Sequence, residues 1–198
     1  MDFQENQKFW RDHHNPARYL NAPHERTDAL VELVKSLPFD KYNQDNAACI
    51  LEIGCNSGRN LAALWKAGYH DLMGIEINPA AVRLFRDTFP DLNVLIAPSA
   101  VEDVIREYPT GMFDLIYTMA TLLHIPPASD WIFAEIARVS CQYVLTIECE
   151  NSNAVYAGAQ RQWSRNYKTI FESLGMHQVQ TRNGFGDLNK YIMRLFEK

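Results

Sequence analysis

Residues 51–60 read LEIGCNSGRN, and this stretch decides the fold. The apolar run from Cys49 to Ile53 predicts a short buried strand, and it leads directly into Gly54. A helical pattern begins at Asn60. A glycine turn between a strand and a helix brings backbone N–H groups and the helix N-terminus close to a ligand, at the carboxyl edge of a parallel sheet. The stretch therefore predicts a ligand-binding strand–turn–helix unit.

Apolar, β-rich runs alternate with helical patterns on both sides of this stretch. Such alternation is typical of a parallel sheet with helices on both faces. Near the C-terminus, the link from Asn183 to Gly186 separates two strand-like runs and predicts a hairpin. We therefore predict an α/β fold with a doubly wound, seven-stranded, mostly parallel sheet whose last strand is antiparallel. The predicted strands cover residues 49–53, 72–77, 93–97, 113–118, 143–149, 176–181 and 190–196.

Polar residues suited to helix N-capping stand before most of the predicted helices. One helix is expected from Asn60 to Ala67, ended by Gly68, and Pro79 suits the first position of the next. The expected caps are Asn78, Ser99, Ser129 or Asp130, and Ser164.

The N-terminal segment does not follow the strand–helix alternation. It is rich in aromatic side chains and has one helical pattern, Glu25 to Ser36, before the polar linker 43–46. Two interpretations remain open: a helical layer on the sheet edge, or a lid over the active site. We divide the chain into an N-terminal helical cap or lid, residues 1–46, and a cofactor-binding domain, residues 47–198.

Composition excludes several classes of protein. The net charge is −5 without a basic cluster, so a nucleic-acid partner is not expected. No apolar stretch approaches the length of a membrane span, and no secretory signal is recognisable. The four cysteines form no CxxC pair, which favours reduced thiols and a cytoplasmic protein, and no metal site is expected.

The acids near the turn indicate which ligand it binds. The dinucleotide fingerprint GxGxxG would require glycine at three positions that hold Gly54, Asn56 and Arg59 here, so only one matches. Glu52 lies two residues before Gly54, and an acid there suits a cationic ligand rather than a pyrophosphate. Glu76 closes the second strand, where a carboxylate accepts hydrogen bonds from ribose hydroxyls. An adenosine ligand with a cationic tail and no phosphates is S-adenosylmethionine.

Three segments resemble motifs of the class I S-adenosylmethionine-dependent methyltransferases. LEIGCNSGRN resembles their first motif, GIEINPAAV (74–82) their second, and FDLIYTMATLLHIPP (113–127) their fourth. The likeness covers residues 48–198. With the N-terminal KFW (8–10), the fourth motif is most similar to methylases associated with pseudaminic acid biosynthesis genes.

The resemblance implies a cofactor site spread over four strand ends. The turn would hold the methionine part, Glu76 the ribose and Ile77 the adenine. Ser99 and Ala100 stand where the family commonly has an Asp-Ala pair near the adenine amino group, and Thr118 and Met119 would line the methionine side. The implied cofactor-binding set is Glu52, Gly54, Cys55, Asn56, Gly58, Glu76, Ile77, Ser99, Ala100, Thr118 and Met119.

Methyl transfer is an in-line displacement, and a protonated nucleophile needs a general base. His124 follows the fourth strand and is the candidate catalytic base. It can equally orient the substrate, or serve as a loop histidine that bonds the backbone.

Four further side chains are candidates for substrate binding. Trp10 and Tyr19 can cover the cofactor as part of a lid, or anchor a core. Glu148 can bind a cationic or hydroxyl-rich substrate, and Arg165 can bind a carboxylate; solvated surface roles are the alternatives.

We therefore predict an S-adenosylmethionine-dependent methyltransferase that acts on an O or N atom of a small metabolite in a biosynthetic pathway. The expected partner is this small molecule, with no membrane partner, and the expected assembly is a monomer or homodimer. The alternatives are a cofactor-binding partner subunit without turnover and a protein methyltransferase.

Overall fold

A seven-stranded sheet forms the centre of the computed structural model, which describes residues 3–12, 15–21, 24–39, 48–150 and 161–198. Among these residues the strand order is β3-β2-β1-β4-β5-β7-β6. The strands are β1 Ile50–Ile53, β2 Leu72–Ile75, β3 Leu95–Ala97, β4 Phe113–Met119, β5 Ser140–Glu148, β6 His177–Phe185 and β7 Leu188–Glu197.

The sheet confirms the predicted fold class. Strands β1 to β5 pair in parallel, while β7 runs antiparallel to both β5 and β6. The hairpin turn is later and shorter than predicted, because Asn183 still pairs with Ile192, and Phe185 with Leu188. Gly184 lies inside β6 at a shift of the register, with a φ of +79°. This glycine therefore marks a bulge rather than the turn.

Eight α-helices surround the sheet in the described part of the chain. They are α1 Phe3–Asp12, α2 Ala17–Leu20, α3 Glu25–Lys35, α4 Arg59–Lys66, α5 Pro79–Thr88, α6 Val101–Val104, α7 Ile132–Val139 and α8 Tyr167–Ser173. Only one predicted cap is confirmed: the Asn78 side chain accepts a hydrogen bond of 2.8 Å from the N–H of Ala80, and Pro79 begins α5.

The other predicted caps were wrong. The residue at the N-cap of α6 is Ala100 rather than Ser99, and its side chain forms no capping hydrogen bond. A 3-10 turn occupies Pro127–Ser129, so α7 begins later, at Ile132.

The cap of α8 is Asn166, whose side chain accepts a hydrogen bond from the N–H of Thr169. Ser164 instead donates to the carbonyl of Glu150. Longer-range contacts of the chain thus prevail over local capping preference.

Two hydrophobic layers cover the sheet. One face packs against α3 and α4 through Leu30, Val34 and Leu61. The opposite face packs against α7 and α8 through Phe133 and Phe171. Both faces are therefore buried, which explains the uninterrupted apolar runs of the parallel strands.

The two larger N-terminal helices have different surroundings. Leu30 and Val34 of α3 have no exposed surface and belong to the main core. Helix α1 instead contacts the loop that follows β4, where Asn6 donates to the carbonyl of His124. The layer interpretation suits α3, and the lid interpretation remains a prediction for α1. The predicted linker 43–46 lies outside the described residues.

No helix in the described ranges is both long enough and apolar enough to span a membrane.

Candidate active site

The glycine turn, residues 54–58, folds back on the end of β2. The N–H groups of Gly54 and Cys55 both donate to the carbonyl of Ile75, at 2.8 and 3.1 Å. Gly54 has a φ of +76°, and Asn56 has a φ of +49° although it carries a side chain. A Cβ at Gly54 would overlap the side chain of Thr121. The turn therefore requires glycine at this position and lies against the post-β4 loop, residues 120–125.

Glu52 lies buried beneath the turn, with 2% of its surface exposed. Its Oε1 accepts a hydrogen bond of 2.8 Å from Asn60 Nδ2, whereas no hydrogen bond of good geometry from the described residues reaches Oε2. Burial raises the pKa of Glu52 to about 7, and the nearby Asn60 amide and Tyr117 hydroxyl oppose this rise. The buried Tyr117 hydroxyl interacts with this carboxyl but also forms no hydrogen bond of good geometry, so the described residues leave the hydrogen bonding of Oε2 incomplete.

Glu76 follows β2 and ties the turn to helix α5. Its Oε2 accepts from the N–H of Asn56 and its Oε1 from the N–H of Asn78, both at 2.8 Å. Burial raises the pKa of this carboxyl, while those backbone N–H groups oppose the rise. Each carboxylate oxygen has two acceptor positions, so two hydrogen bonds leave capacity for ribose hydroxyls.

The remaining predicted cofactor residues differ in how deeply they are buried. Ile77 and Ser99 are half-buried and Ala100 is buried, next to the ends of the neighbouring strands β2 and β3. Met119 is half-buried, with its Sδ 4.0 Å from Asn60 Nδ2. Thr118, however, is fully buried, and its hydroxyl donates to Glu148.

Glu148 does not have the surroundings expected of a substrate ligand. It has no exposed surface, and its two oxygens accept hydrogen bonds from the Thr118 hydroxyl and from the backbone N–H groups of Thr121, Leu122 and Leu123. Burial raises its pKa to about 7. The structure therefore corrects the predictions for Thr118 and Glu148: both hold the post-β4 loop in place.

Arg165 is also a structural side chain. Its guanidinium pairs with Asp130 at 2.6 Å and donates to the carbonyls of Leu122 and Ile125 at 3.2 and 2.8 Å. Only 7% of its side chain is exposed, so the predicted substrate-binding role is not supported. It fastens the segment before α8 to the post-β4 loop.

His124 lies at the end of this loop, half-buried between two distant segments. Its Nδ1 lies 3.0 Å from the carbonyl of Arg161, and its ring stacks on Trp10 with 4.1 Å between centroids. Since a carbonyl only accepts, Nδ1 carries the proton and the basic lone pair of the neutral ring is on Nε2. The Arg161 carbonyl thus orients the His124 ring, with Nδ1 as the donor.

The two aromatic candidates of the N-terminal segment are not equivalent. Trp10 contacts His124, next to the active-site loop. Tyr19 lies on α2 with 37% of its surface exposed. The structure therefore brings Trp10, and not Tyr19, into contact with a candidate catalytic residue.

Two residues at the site, Asn60 and Thr27, were absent from the sequence prediction, and Arg161 joins them there. Asn60 bonds Glu52, Thr27 of α3 donates to Asn60 Oδ1 at 2.8 Å, and Arg161 stacks over Phe9 with its carbonyl on His124. Asn60 lies inside LEIGCNSGRN, where a polar residue on the buried side of a helix was the available signal. Thr27 is distant in sequence and gave none.

These residues fit S-adenosylmethionine. The buried, unsatisfied Oε2 of Glu52 suits the ammonium of the methionine part, directly or through water, and the turn leaves no space for a side chain at Gly54. The remaining acceptor positions of Glu76 suit a ribose.

Comparison with known proteins agrees with this geometry. Residues 50–141 match the model of a methyltransferase domain. Together with the fold, this match supports the class that the sequence predicted: an S-adenosylmethionine-dependent methyltransferase, with S-adenosylmethionine as its cofactor.

One curated relative and two solved structures make the similarity concrete. A Methanocaldococcus jannaschii protein named "Putative protein N5-glutamine methyltransferase" is 36% identical over 93 residues, which are 47% of this chain and 44% of that protein. The match thus spans less than half of the relative's length.

The solved structures show the same fold at low sequence identity. An S-adenosylmethionine-dependent methyltransferase from Leishmania major superposes with a TM-score of 0.73 at 16% identity, over 98% of this chain and 82% of that chain. The magnesium protoporphyrin IX methyltransferase of Synechocystis PCC 6803, with bound S-adenosylhomocysteine, gives 0.71 at 14% identity, over 97% and 98%.

Proposed function

We propose that this protein transfers a methyl group from S-adenosylmethionine to an O or N atom of a small metabolite in a biosynthetic pathway. The observation that carries the proposal is the close approach of Gly54 to Thr121. This contact sets the post-β4 loop, and with it His124, beside the turn that would hold the methionine part of the cofactor.

The cofactor would supply a methyl group already activated on a sulfonium. The chain's own residues then have three tasks: Glu52 and the glycine turn hold the methionine part, Glu76 holds the ribose, and His124 takes the proton of the acceptor. The Nδ1–H bond to the Arg161 carbonyl orients the ring, so that Nε2 can accept a proton from a hydroxyl or amine.

The surroundings of His124 support a small acceptor. Helix α1 covers this end of the loop through Asn6 and Trp10, and such a cover favours a small acceptor over a protein surface. The net charge of −5 argues against nucleic acid. The resemblance to methylases associated with pseudaminic acid biosynthesis genes supports a metabolite of a biosynthetic cluster as the acceptor.

A labelling experiment tests the function while the acceptor is still unidentified. Purified protein and tritiated methyl-S-adenosylmethionine are incubated with a cell extract separated into a small-molecule and a protein fraction. We expect label in the small-molecule fraction, and its loss with His124→Ala while calorimetry shows unchanged cofactor binding. His177→Ala, an exposed histidine of β6, is the matched control and should retain activity. Unchanged turnover of His124→Ala would remove His124 from the mechanism.

A protein acceptor is the second candidate. The 36% identity to a relative named as a protein glutamine methyltransferase favours it. Label confined to the protein fraction would support this candidate and reject the small-molecule proposal. Cofactor binding without label in either fraction would indicate the partner subunit without turnover.

Cellular location and assembly belong to the same proposal. Four cysteines without disulfide bonds are consistent with a reducing compartment, and we propose a cytoplasmic monomer or homodimer. Light scattering on a size-exclusion column distinguishes the two assemblies.

A further inference from the structure

A chain of three buried polar side chains joins the N-terminal segment to the acid beneath the glycine turn. The Thr27 hydroxyl donates to Asn60 Oδ1 at 2.8 Å, and Asn60 Nδ2 donates to Glu52 Oε1 at 2.8 Å. Their exposed fractions are 2%, 9% and 2%. The three residues come from three elements: α3, α4 and β1.

The direction of these hydrogen bonds is determined by the chemistry at each end. The ionised Glu52 carboxylate can only accept, so it selects one of the two orientations of the Asn60 amide; the Thr27 hydroxyl, which can donate or accept, then donates to Oδ1. In that orientation the NH₂ group faces the carboxylate. The opposite orientation would point Oδ1 at Glu52, and two buried acceptors would repel each other.

We propose that Thr27 and Asn60 are positioning residues for Glu52: they keep it ionised and leave Oε2 as the oxygen that receives the methionine end of the cofactor. This inference rests on the proposed cofactor site and extends it to the N-terminal segment. Residues 1–46 would then contribute to cofactor binding through α3, independently of any lid formed by α1.

The charge state of Glu52 is what the two residues control. Three other groups act on it: Arg59 of α4 favours the carboxylate, Glu76 disfavours it and the Tyr117 hydroxyl stabilises it. Glu52 in turn raises the pKa of the neighbouring Cys55 thiol. Since burial opposes ionisation, each hydrogen bond to the carboxylate changes the fraction that is charged near neutral pH.

The experiment measures two properties of Asn60→Leu, Thr27→Val and Thr27→Ser. The first is the pKa of Glu52 in the protein without ligand, followed by NMR of ¹³C-labelled glutamate side chains and assigned with Glu52→Gln. The second is S-adenosylmethionine affinity by calorimetry from pH 6.5 to 8.5, expressed as the ratio to wild type at each pH, which cancels the ligand's own titration.

We expect Asn60→Leu to raise the pKa of Glu52 and to weaken binding about tenfold at pH 6.5, as expected for loss of a hydrogen bond to a charged group. The loss of affinity relative to wild type should shrink as pH rises, because a higher pH restores the carboxylate. Thr27→Val should change both properties in the same direction by a smaller factor, and Thr27→Ser should restore wild-type behaviour.

Thr146→Val is the matched control, because Thr146 is a fully buried threonine of β5 whose hydroxyl has no hydrogen-bond partner among the described residues. It should alter neither property. The inference would be overturned by an unchanged pKa of Glu52 in both Asn60→Leu and Thr27→Val. A loss of affinity that is equal at all pH values would also overturn it. Failure of the wild-type protein to bind the cofactor would reject the cofactor site, while the NMR titration would still decide whether the two residues control Glu52.

Discussion

Glu52 and Glu148 are two buried acids that differ in how the protein satisfies them. Burial raises the pKa of each to about 7. Glu148 accepts hydrogen bonds on both oxygens, from one hydroxyl and three backbone N–H groups. Glu52 accepts one from Asn60 on Oε1, and Oε2 has none of good geometry from the described residues. Burial raises the pKa of both acids to a similar value, yet apart from the nearby Tyr117 hydroxyl the described residues offer Glu52 no second donor.

The difference separates an acid with a structural role from one that we propose binds the cofactor. The hydrogen bonds of Glu148 fix the post-β4 loop and would be broken by any ligand that approached it. Glu52 retains an acceptor oxygen beside a glycine turn, which is the condition for binding a cation without loss of existing contacts.

The largest expected effect is on stability when the same substitution is made at both acids. In Glu148→Gln, either amide orientation turns an NH₂ group toward backbone N–H donors, and we expect a loss of roughly 3–5 kcal/mol of unfolding free energy. In Glu52→Gln, the oxygen can keep the Asn60 bond, and we expect a loss below about 1 kcal/mol. Urea unfolding followed by circular dichroism measures both. Equal losses would contradict the comparison.

The contact between the glycine turn and the post-β4 loop gives the next effect. Gly54→Ala adds a Cβ that overlaps Thr121 at a positive φ, and we expect a loss of roughly 2–4 kcal/mol together with loss of cofactor binding. Gly175→Ala is the control, because Gly175 has a φ of +85° with no described atom within 4 Å of an added Cβ. It should lose only the backbone part, roughly 1–2 kcal/mol. If both variants unfolded at the same urea concentration, the stability of the turn would not depend on its contact with Thr121.

The surroundings of Glu52 and of Glu148 also differ in how much of them could be predicted from the sequence. The turn and Glu52 lie in one continuous strand–turn–helix stretch, and Glu76 directly follows the next strand. The roles of Glu148 and Arg165 depend on partners 25 to 43 residues away, and the Asn6–His124 bond joins residues 118 apart. An acid at a strand end looks the same in the sequence whether it faces a ligand or backbone N–H groups.

The helix caps show the same limit within the fold. The positions of β1, β4 and β5 followed from apolar runs because parallel strands buried on both faces carry apolar residues at consecutive positions. Ser164 satisfies every local rule for a cap, yet its hydroxyl bonds Glu150, and Asn166 caps α8. The Glu150 carbonyl comes within reach of the Ser164 hydroxyl only when the chain folds.

The pH dependence of stability tests whether the two acids titrate as buried groups. A folded pKa of about 7 against an ordinary value of 4.5 means that the folded state holds the proton more tightly. The stabilisation is therefore complete below pH 4.5 and is lost as pH rises through 7. We expect Glu52→Gln to remove up to about 3 kcal/mol of the decline between about pH 5 and 8. A decline as steep as in wild type would show that Glu52 is already ionised at about pH 5.

The smallest effect concerns α1 and decides between a layer and a lid. Helix α3 places Leu30 and Val34 in the main core, so its amide hydrogens should exchange only when the whole protein unfolds. Helix α1 is held near His124 by the Trp10 ring and by Asn6. Removing an aromatic pair costs roughly 0.5–1.5 kcal/mol, so Trp10→Ala should speed amide exchange in α1 about five- to tenfold. Exchange in α3 should stay within about twofold of wild type, the size of a surface effect.

Hydrogen exchange followed by mass spectrometry resolves the two helices. Phe39→Leu, which alters a ring contact on the α3 side of the core, is the reciprocal control. If Trp10→Ala accelerated both helices equally, α1 would open only with the core, and the N-terminal segment would be one layer with no separate lid.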